Sequence, residues 1–403
     1  MSSELDVYDL DTYVQGIPHD RFRRLRREEP VHFHEEPGGK GFWAVTRYAD
    51  VVAISKDPKT FSSARGGTNI WDLPPEDLST IQLLMVNMDP PEHGKFRRLV
   101  SRGFTPRMTS RLEPFVREAA VRSIEAAASK GECDFVRNVA AELPLIVIAE
   151  LMGIPQEDRH KVFDWSNRLI GFDDPEFQTS LEDGKIAAQE MWFYANELAE
   201  RRKAETGSGE DLVSVLVKGE IEGEVLTEME FDAFFLMLAV AGNETTRNAI
   251  TGGLLTLLEH PEQKQRLVEQ PALLPTAIEE MLRWVTPVMH FRRTAMRDVE
   301  LYGKTIHEGD KVVMYYPAAN RDEEAFPNPD AFDVGRTPND HLSFGIGEHF
   351  CLGASLARLE LRIFFEELLR RYPHIEQSGK VRRLRSNFIN GYKELPVRFA
   401  RQA

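Results

Sequence analysis

The chain has 403 residues, of which 42% are apolar and 29% charged, and its formal net charge is −15. This composition is typical of globular proteins and argues against a disordered or fibrous chain. The acidic balance argues against wholesale binding to nucleic acid or to an anionic membrane, so we expect no nucleic-acid partner.

Cysteine content and apolar runs indicate the compartment. The only cysteines, Cys133 and Cys351, cannot build a disulfide framework and suit a reducing cytosol. The acidic N-terminus lacks the basic and apolar regions of a signal peptide. The longest apolar run, from Ala233 to Gly242, is well short of the roughly 18 residues that a membrane span needs. We therefore predict a soluble, cytoplasmic protein with no membrane span.

Helical periodicity dominates the sequence from end to end. Apolar residues recur at three- and four-residue spacing in eight segments: 92–103, 108–128, 141–152, 156–171, 179–204, 226–258, 261–284 and 352–371. Short alternating or β-branched stretches lie at 31–36, 41–46, 298–303 and 311–316. Since no linker or fixed repeat divides the chain, we predict one domain over residues 1–403, mainly α-helical with a minor sheet.

The first predicted helix with an unusual face begins at residue 92. His93 and Arg97 lie four residues apart and therefore on one side of this helix. Solvated surface residues are the simpler interpretation of either side chain alone. The alternative is a pair of donors for an anionic ligand.

The long predicted helix at 226–258 contains an unusual polar segment, Ala241 to Thr246, with the sequence AGNETT. Gly242 costs a helix centre about 1 kcal/mol relative to Ala. Thr245 can bond back to a preceding carbonyl, and Glu244 costs energy in an apolar helix unless it is paired. A packing glycine with a back-bonded threonine is one interpretation, and a functional acid–hydroxyl pair is the other.

Glu280 and Arg283 lie three residues apart, near the C-terminal end of the helix predicted at 261–284. An exposed ion pair of this kind contributes only tenths of a kcal/mol. The alternative is a structural clamp, with Arg336 as a third member.

The most informative stretch is the glycine-rich turn before the last predicted helix, where Phe344, Gly347, Cys351 and Gly353 follow the spacing Phe-x-x-Gly-x-x-x-Cys-x-Gly. A cysteine among the backbone N–H groups of a helix N-terminus has a stabilised thiolate and can bind a metal or act as a nucleophile. A nucleophile needs a base, for which His349 is the nearby candidate. A small buried cysteine is the structural alternative.

With this ordered spacing, the sequence resembles the cytochrome P450 family of haem-thiolate monooxygenases. The family's other landmarks also occur in order, from about residue 20 to the C-terminus. The resemblance implies the P450 fold: a mainly α, helix-rich domain with a small β-rich subdomain and haem between the long central helix and the cysteine loop. It implies haem b (iron protoporphyrin IX) as cofactor and Cys351 as the ligand of its iron.

The resemblance also assigns residues around the cofactor. The haem propionates would be held by His93, Arg97, Arg293 and His349, with Arg293 favoured over Arg292 by its register. The haem itself would further contact Ala241, Phe344, Gly345 and Gly353. Thr245 would hydrogen-bond the oxygen substrate in a widened helix groove, and Glu244 would help to deliver protons.

The family's pocket places an apolar lining over the haem and implies a lipophilic small-molecule substrate, oxidised with O₂. The predicted lining is Phe234, Met237, Leu238, Ala241, Val288, Met289, Phe291, the loop 62–85 and the turn 387–391. Stretches similar to bacterial enzymes that oxidise sterol side chains and methyl-branched lipids are 40–63, 100–106, 171–177 and 386–397. A terpenoid would fit the same pocket chemistry.

The electron donor is expected to be a separate protein, because the sequence contains no flavin or nicotinamide domain. Between residues 92 and 111 there are six Lys or Arg and one acidic residue. If Arg97 faces the haem, then Lys95, Arg98 and Arg102 face outward and can steer an acidic partner. We therefore predict ferredoxin and ferredoxin reductase as partners. A peroxide-driven haem peroxygenase and a non-catalytic haem sensor are the alternative functions.

Overall fold

The computed structural model of the chain describes residues 5–104, 106–170, 173–177, 180–205, 211–218, 220–221 and 224–400. The helices of these residues are α1 (Leu10–Gln15), α2 (His19–Glu28), α3 (Tyr48–Ser55), α4 (Pro75–Ile81), α5 (Glu92–Ser101), α6 (Pro106–Ala128), α7 (Glu142–Met152), α8 (Arg159–Ile170), α9 (Leu181–Ala204), α10 (Leu212–Val217), α11 (Glu228–Glu259), α12 (Pro261–Glu269), α13 (Leu274–Val285), α14 (Tyr316–Ala319) and α15 (Ala354–Arg371).

The strands are short and form small sheets. They are β1 (Val31–His34), β2 (Phe42–Val45), β3 (Phe61–Ser62), β4 (Glu132–Asp134), β5 (Glu220–Ile221), β6 (Glu224–Val225), β7 (His290–Ala295), β8 (Val299–Leu301), β9 (Lys304–Ile306), β10 (Lys311–Tyr315), β11 (Glu376–Gln377), β12 (Arg382–Arg383), β13 (Tyr392–Glu394) and β14 (Pro396–Arg398). Five strands pair in the order β1-β2-β10-β7-β3, in which only the β2–β10 pair is parallel. The predicted mainly α fold with a minor sheet is thus confirmed.

Helix α11 is the central element, and α7, α8, α9, α13 and α15 pack around it. It begins at a capping box in which Thr227 accepts from the backbone of Glu230 and the Glu230 side chain accepts from the backbone of Thr227. A Cβ atom on Gly242 would lie 2.7 Å from the Cδ1 atom of Ile148 in α7. The glycine is therefore explained by the close approach of α11 and α7.

The five-stranded sheet is covered on both faces. Along β10, Val312 and Met314 enter one apolar cluster, whereas Val313 and Tyr315 enter another. Because side chains alternate across a strand, these two clusters lie on opposite faces. The larger core, which is built mainly from helices, is a separate cluster around α11 and α15.

Several features of the fold differ from the sequence-based expectation, among them helices α1 to α4, which were not predicted. The segment predicted as one helix at 261–284 is interrupted, because Pro271 lacks an N–H and restricts the preceding residue, so that a 3₁₀ turn separates α12 from α13. Strand β7 was not predicted, since its sequence HFRRTA carries two arginines and gives no apolar alternation. No helix in the described part of the chain is both long and apolar enough to cross a membrane.

Candidate functional site

The cysteine loop is a tight turn between Phe344 and the start of α15. The backbone N–H of Cys351 donates to the Phe344 carbonyl over 2.8 Å. Gly345 and Gly347 have φ angles of 68° and 76°, in the left-handed region that favours glycine. A Cβ on Gly347 would also lie 2.6 Å from the carbonyl oxygen of Ser55. The two glycines before the cysteine are therefore required by the backbone.

The thiol of Cys351 lies deep among protein atoms, although its side chain retains accessible surface. Burial raises the pKa of this thiol and outweighs the N–H of Gly353 and the positive charges of Arg97 and Arg358. The loop amides alone therefore do not produce a free thiolate, contrary to the expectation from the sequence. A thiol that keeps its proton is a poor nucleophile but becomes a ligand when a metal cation compensates the thiolate.

Cationic side chains gather beside the cysteine loop from three distant parts of the chain. The rings of His93 and His349 are 4.2 Å apart between centroids. Arg97 donates to the carbonyl of Phe350 over 2.6 Å, and Arg293 is close enough to both histidines to affect their ionisation. Burial, reinforced by these arginines, lowers the pKa of His93 to about 4 and that of His349 to about 2. The cluster carries excess positive charge.

This cluster has the chemistry of a receptor for a dianion. Arg293 is 5% exposed, it donates a hydrogen bond to the carbonyl of Arg292, and it forms no ion pair with the described residues. The Nε2 atom of His93 is buried and has no partner among those residues. Buried charges and donors are stable in a protein when they are paired. The two carboxylates of haem, next to a cysteine able to ligate its iron, fit this donor set.

Ser63 and Asp89 support the cluster and were not identified from the sequence. The Ser63 hydroxyl is 3.2 Å from Nε2 of His349, and the Ser63 backbone N–H donates to Asp89 over 2.7 Å. The backbone N–H of His93 in turn donates to the Asp89 carbonyl over 3.0 Å. The local signal in the sequence is that Asp89 precedes two prolines and the helix that follows them. Its contact with Ser63, next to β3, depends on the tertiary fold and could not be predicted from that signal.

The acid–hydroxyl segment lies in the middle of α11. Thr245 donates its hydroxyl hydrogen to the Ala241 carbonyl over 2.7 Å, and residues 241–246 are α-helical. Ala241 is exposed and Thr245 partly exposed, so this side of the helix faces open space. Glu244 is 1% exposed, and Arg247 donates to it and, over 3.0 Å, to Asn167 of α8. Burial raises the pKa of Glu244 in spite of Arg247.

The structure brings together three of the segments predicted to line a pocket. Met289 donates through its backbone to the Phe388 carbonyl over 2.8 Å, and the rings of Phe291 and Phe388 are 5.8 Å apart. The backbone N–H of Arg292 donates to the Thr68 carbonyl in the loop 62–85 over 2.9 Å. These segments therefore form one continuous wall.

The predicted lining of α11 divides into two groups. Phe234 is 1% exposed and stacks on Phe96 of α5 at 5.2 Å, which makes it a core residue. Met237 is partly exposed, whereas Leu238 is buried. Together with Ala241, Met237 is the part of this face that is open.

The predicted clamp is present behind the cysteine loop. Arg283 donates two hydrogen bonds of 2.8 Å to Glu280, and both side chains are fully buried. Arg336 adds a bond of 3.0 Å to the same carboxylate. The hydroxyl of Ser343, at the start of the cysteine loop, donates to the Leu282 carbonyl over 2.7 Å. The clamp thus fixes α13 against the segment that enters the loop.

The basic face of α5 lies on the same helix as the cationic cluster. Arg98 is exposed and Lys95 is partly exposed, as expected if Arg97 faces inward. The side chain of Arg102 lies outside the described part of the chain.

Comparison with known proteins agrees with this site. The family model "Cytochrome P450" matches residues 145–390. The chain is 44% identical to a steroid C26-monooxygenase of Rhodococcus jostii over 97% of this chain and 84% of the relative. It is 43% identical to a methyl-branched lipid omega-hydroxylase of Mycobacterium bovis over 98% of this chain and 93% of the relative.

A solved structure shares the whole architecture. Cytochrome P450 CYP268A2 of Mycobacterium marinum, in complex with pseudoionone, superposes with a TM-score of 0.89 at 40% identity. The match covers 94% of each chain. Fold, sequence and a cysteine site suited to haem agree, and the chain therefore belongs to the cytochrome P450 family, as a monooxygenase that contains haem b and hydroxylates a lipophilic substrate.

Proposed function

We propose that the whole chain, residues 1–403, is one catalytic domain in which Cys351 ligates the haem iron. The observation that carries this assignment is the position of Cys351 beside Arg97, with the His93–His349 pair and Arg293 close by. When bound, haem supplies the iron that activates O₂, and a thiolate ligand favours cleavage of the O–O bond. The chain's own residues hold the cofactor, position the substrate and deliver protons.

Two groups of residues hold the cofactor in this proposal. His93, Arg97, Arg293 and His349 bind the propionates as hydrogen-bond donors and positive charges. Phe344, Gly345 and Gly353 contact the macrocycle from the cysteine side, and Ala241 contacts it from α11. A Cβ at Gly353 would meet no protein atom within 4 Å, so the chain itself leaves space there.

Thr245 and Glu244 act as the proton-delivery pair. The hydroxyl hydrogen of Thr245 is engaged by the Ala241 carbonyl, so that its oxygen presents lone pairs and can accept a hydrogen bond from the oxygen substrate once that substrate carries a proton. Burial raises the pKa of Glu244, which favours the protonated carboxyl, and Arg247 stabilises the carboxylate that remains when the proton is released. Removal of one oxygen atom as water requires such a supply.

The substrate in this proposal is a sterol side chain, a methyl-branched lipid or a terpenoid. The activities of the two relatives and the pseudoionone bound to the related structure support this class. Met237, Phe291 and Phe388, which are partly exposed, provide apolar contacts. The substrate is expected to be held by shape and apolar area, with few polar contacts.

Electrons come from a ferredoxin, itself reduced by ferredoxin reductase, and the protein acts in the cytoplasm. The basic face with Lys95 and Arg98 lies on the same helix as Arg97, which contacts the cysteine loop. Reversing the charges of Lys95 and Arg98 is expected to slow reduction by ferredoxin without altering haem content, and the effect should shrink at high salt. Unchanged reduction rates would remove this docking face.

The test of the function is a reconstituted reaction with purified ferredoxin and reductase. Sterols, branched fatty acids and terpenoids are first screened for displacement of the water on the haem iron, seen as a shift of the Soret band. Ligands that bind are then incubated with O₂ and the electron donors, and products are identified by mass spectrometry. Hydroxylated products that require the complete donor system support the proposal. Turnover with peroxide alone would contradict the ferredoxin-dependent mechanism.

A further inference from the structure

One turn of α11 contains an unusual concentration of buried polar atoms without partners. Within the described residues, no hydrogen bond reaches Nδ2 or Oδ1 of Asn243, Oε1 of Glu244, or Nε of Arg247. The three residues are 0%, 1% and 6% exposed. Most buried polar groups in proteins are hydrogen-bonded, so four unpaired atoms within five consecutive residues indicate an additional partner.

The neighbouring asparagine on the same helix shows that this environment can satisfy an amide. Asn248 donates to the Glu244 carbonyl over 2.9 Å and accepts from the backbone N–H of Tyr392 over 3.1 Å. Asn243 is equally buried but has neither kind of contact. Its unpaired amide is therefore a property of its own position.

The unpaired atoms lie on adjacent positions of the helix. Asn243 and Arg247 are four residues apart, so their side chains are neighbours on one face. Arg247 leans on the ring of Phe163 at 5.6 Å and reaches Glu244 at one side and Asn167 at the other. Asn167 is only partly buried, so the cluster approaches solvent along the boundary between α11 and α8.

We propose that Asn243 is a positioning residue that holds an ordered water molecule between its amide, Nε of Arg247 and Oε1 of Glu244. Buried waters commonly make about three hydrogen bonds to otherwise unpaired polar groups, and these three side chains offer four unpaired atoms. After Glu244 has released its proton, the carboxylate takes a proton from this water, and the water regains one from solvent along the α8 side. This inference rests on the proton-donor role proposed for Glu244.

The test uses the haem-loaded protein and four substitutions. Asn243→Leu keeps the approximate shape but removes both polar atoms, whereas Asn243→Ser keeps a hydroxyl and leaves room for water. Thr256→Val is the matched control, because Thr256 is buried in the same helix and its hydroxyl donates to the Gly252 carbonyl. The readouts are the infrared band of the protonated Glu244 carboxyl, identified by its loss in Glu244→Gln, the Tm, and product formed per electron consumed.

We expect Asn243→Leu to shift the infrared band of the Glu244 carboxyl to higher frequency and to abolish the response of this band to short exposure to D₂O. The amount of product formed per electron consumed should fall several-fold. Asn243→Ser should recover the band position and most of the coupling, and Thr256→Val should change neither. The Ser variant keeps the test valid if the Leu variant does not fold.

An unchanged carboxyl band together with a higher Tm in Asn243→Leu would overturn the proposal. The amide of Asn243 would then be a buried polar group that holds no water beside Glu244. The experiments test the proton-donor role of Glu244 and the water held by Asn243 separately. If Glu244→Gln stays fully coupled, the proton-donor role of Glu244 is wrong, whereas the band shift still decides whether Asn243 holds a water beside that carboxyl.

Discussion

Arg292 and Arg293 are consecutive in β7, yet their guanidinium groups serve opposite sides of the strand. Arg292 forms an ion pair of 2.8 Å with Asp72 and so anchors the loop 62–85. Arg293 lies beside His93 and His349 and forms no ion pair with a carboxylate among the described residues. The alternation of side chains across a strand thus directs one arginine toward the loop 62–85 and the other toward the two histidines.

This division predicts different defects for the two arginines. Arg293→Leu removes a charged donor from the cationic cluster and should speed haem loss roughly 10- to 100-fold, since hydrogen bonds to charged groups are worth about 1.5–3 kcal/mol. Haem transfer to apomyoglobin measures this rate. Arg292→Leu is the control and should loosen the loop and weaken substrate binding with little change in haem loss. Equal rates in both variants would contradict the assignment of Arg293.

Thr245→Ala should uncouple the enzyme. Without the acceptor at this position, electrons and O₂ are still consumed, but the fraction that appears as hydroxylated product should fall roughly 10- to 100-fold. Thr245→Ser retains the hydroxyl and should restore most of the coupling. Oxygen uptake, peroxide release and product are measured in the same reaction. If the alanine variant converts the same fraction of electrons into product as the wild type, the role proposed for this hydroxyl is wrong.

Replacing Glu360 in α15 is expected to stabilise the protein relative to wild type, by an amount that grows as the pH rises. It is 3% exposed, its Oε2 atom has no partner among the described residues, and burial raises its pKa from 4.5 to about 8. Between these values the unfolded chain has released the proton that the folded chain keeps, so rising pH favours unfolding. Glu360→Gln removes this term, and its free energy of unfolding should rise relative to wild type by about 3 kcal/mol from pH 5 to pH 8.

Denaturant unfolding at both pH values measures this difference. Glu262→Gln, at an exposed position in α12, controls for the loss of one negative charge and should show no such gain. A wild-type-to-variant difference that is flat between pH 5 and pH 8 would mean that Glu360 is already ionised in the folded protein.

The Glu280–Arg283 pair predicts a large loss of stability. Burial opposes ionisation of Glu280, but hydrogen bonds from Arg283 and charges around it hold its pKa below the ordinary value. Glu280→Ala leaves Arg283 fully buried without its carboxylate, which costs about 3–5 kcal/mol. Thermal unfolding and haem content should both fall, whereas Glu262→Ala should stay within about 0.5 kcal/mol of wild type. Similar effects in the two variants would refute the clamp.

Local patterns predicted those parts of the molecule that depend on near neighbours. The cysteine loop follows from glycines at left-handed φ angles, and the clamp begins with the three-residue spacing of Glu280 and Arg283. The long central helix follows from its apolar periodicity, whereas the capping box at Thr227 and Glu230 that begins it was not predicted.

Contacts between distant segments could not be predicted in the same way. The support of His349 by Ser63 joins residues 286 positions apart. Strand β7 is buried in spite of two arginines, because each finds its own environment in the folded protein. Burial also reversed the expected ease of ionisation at Cys351, since its effect on the pKa depends on how many atoms surround the loop.

The central claim is that Cys351 ligates the iron of haem b. The most direct measurement is the absorption spectrum of the purified protein after reduction with dithionite under carbon monoxide. The strongly red-shifted Soret band produced by thiolate ligation is the predicted result. A Soret band at the position of histidine-ligated haem, or a purified protein that cannot be loaded with haem, would contradict it.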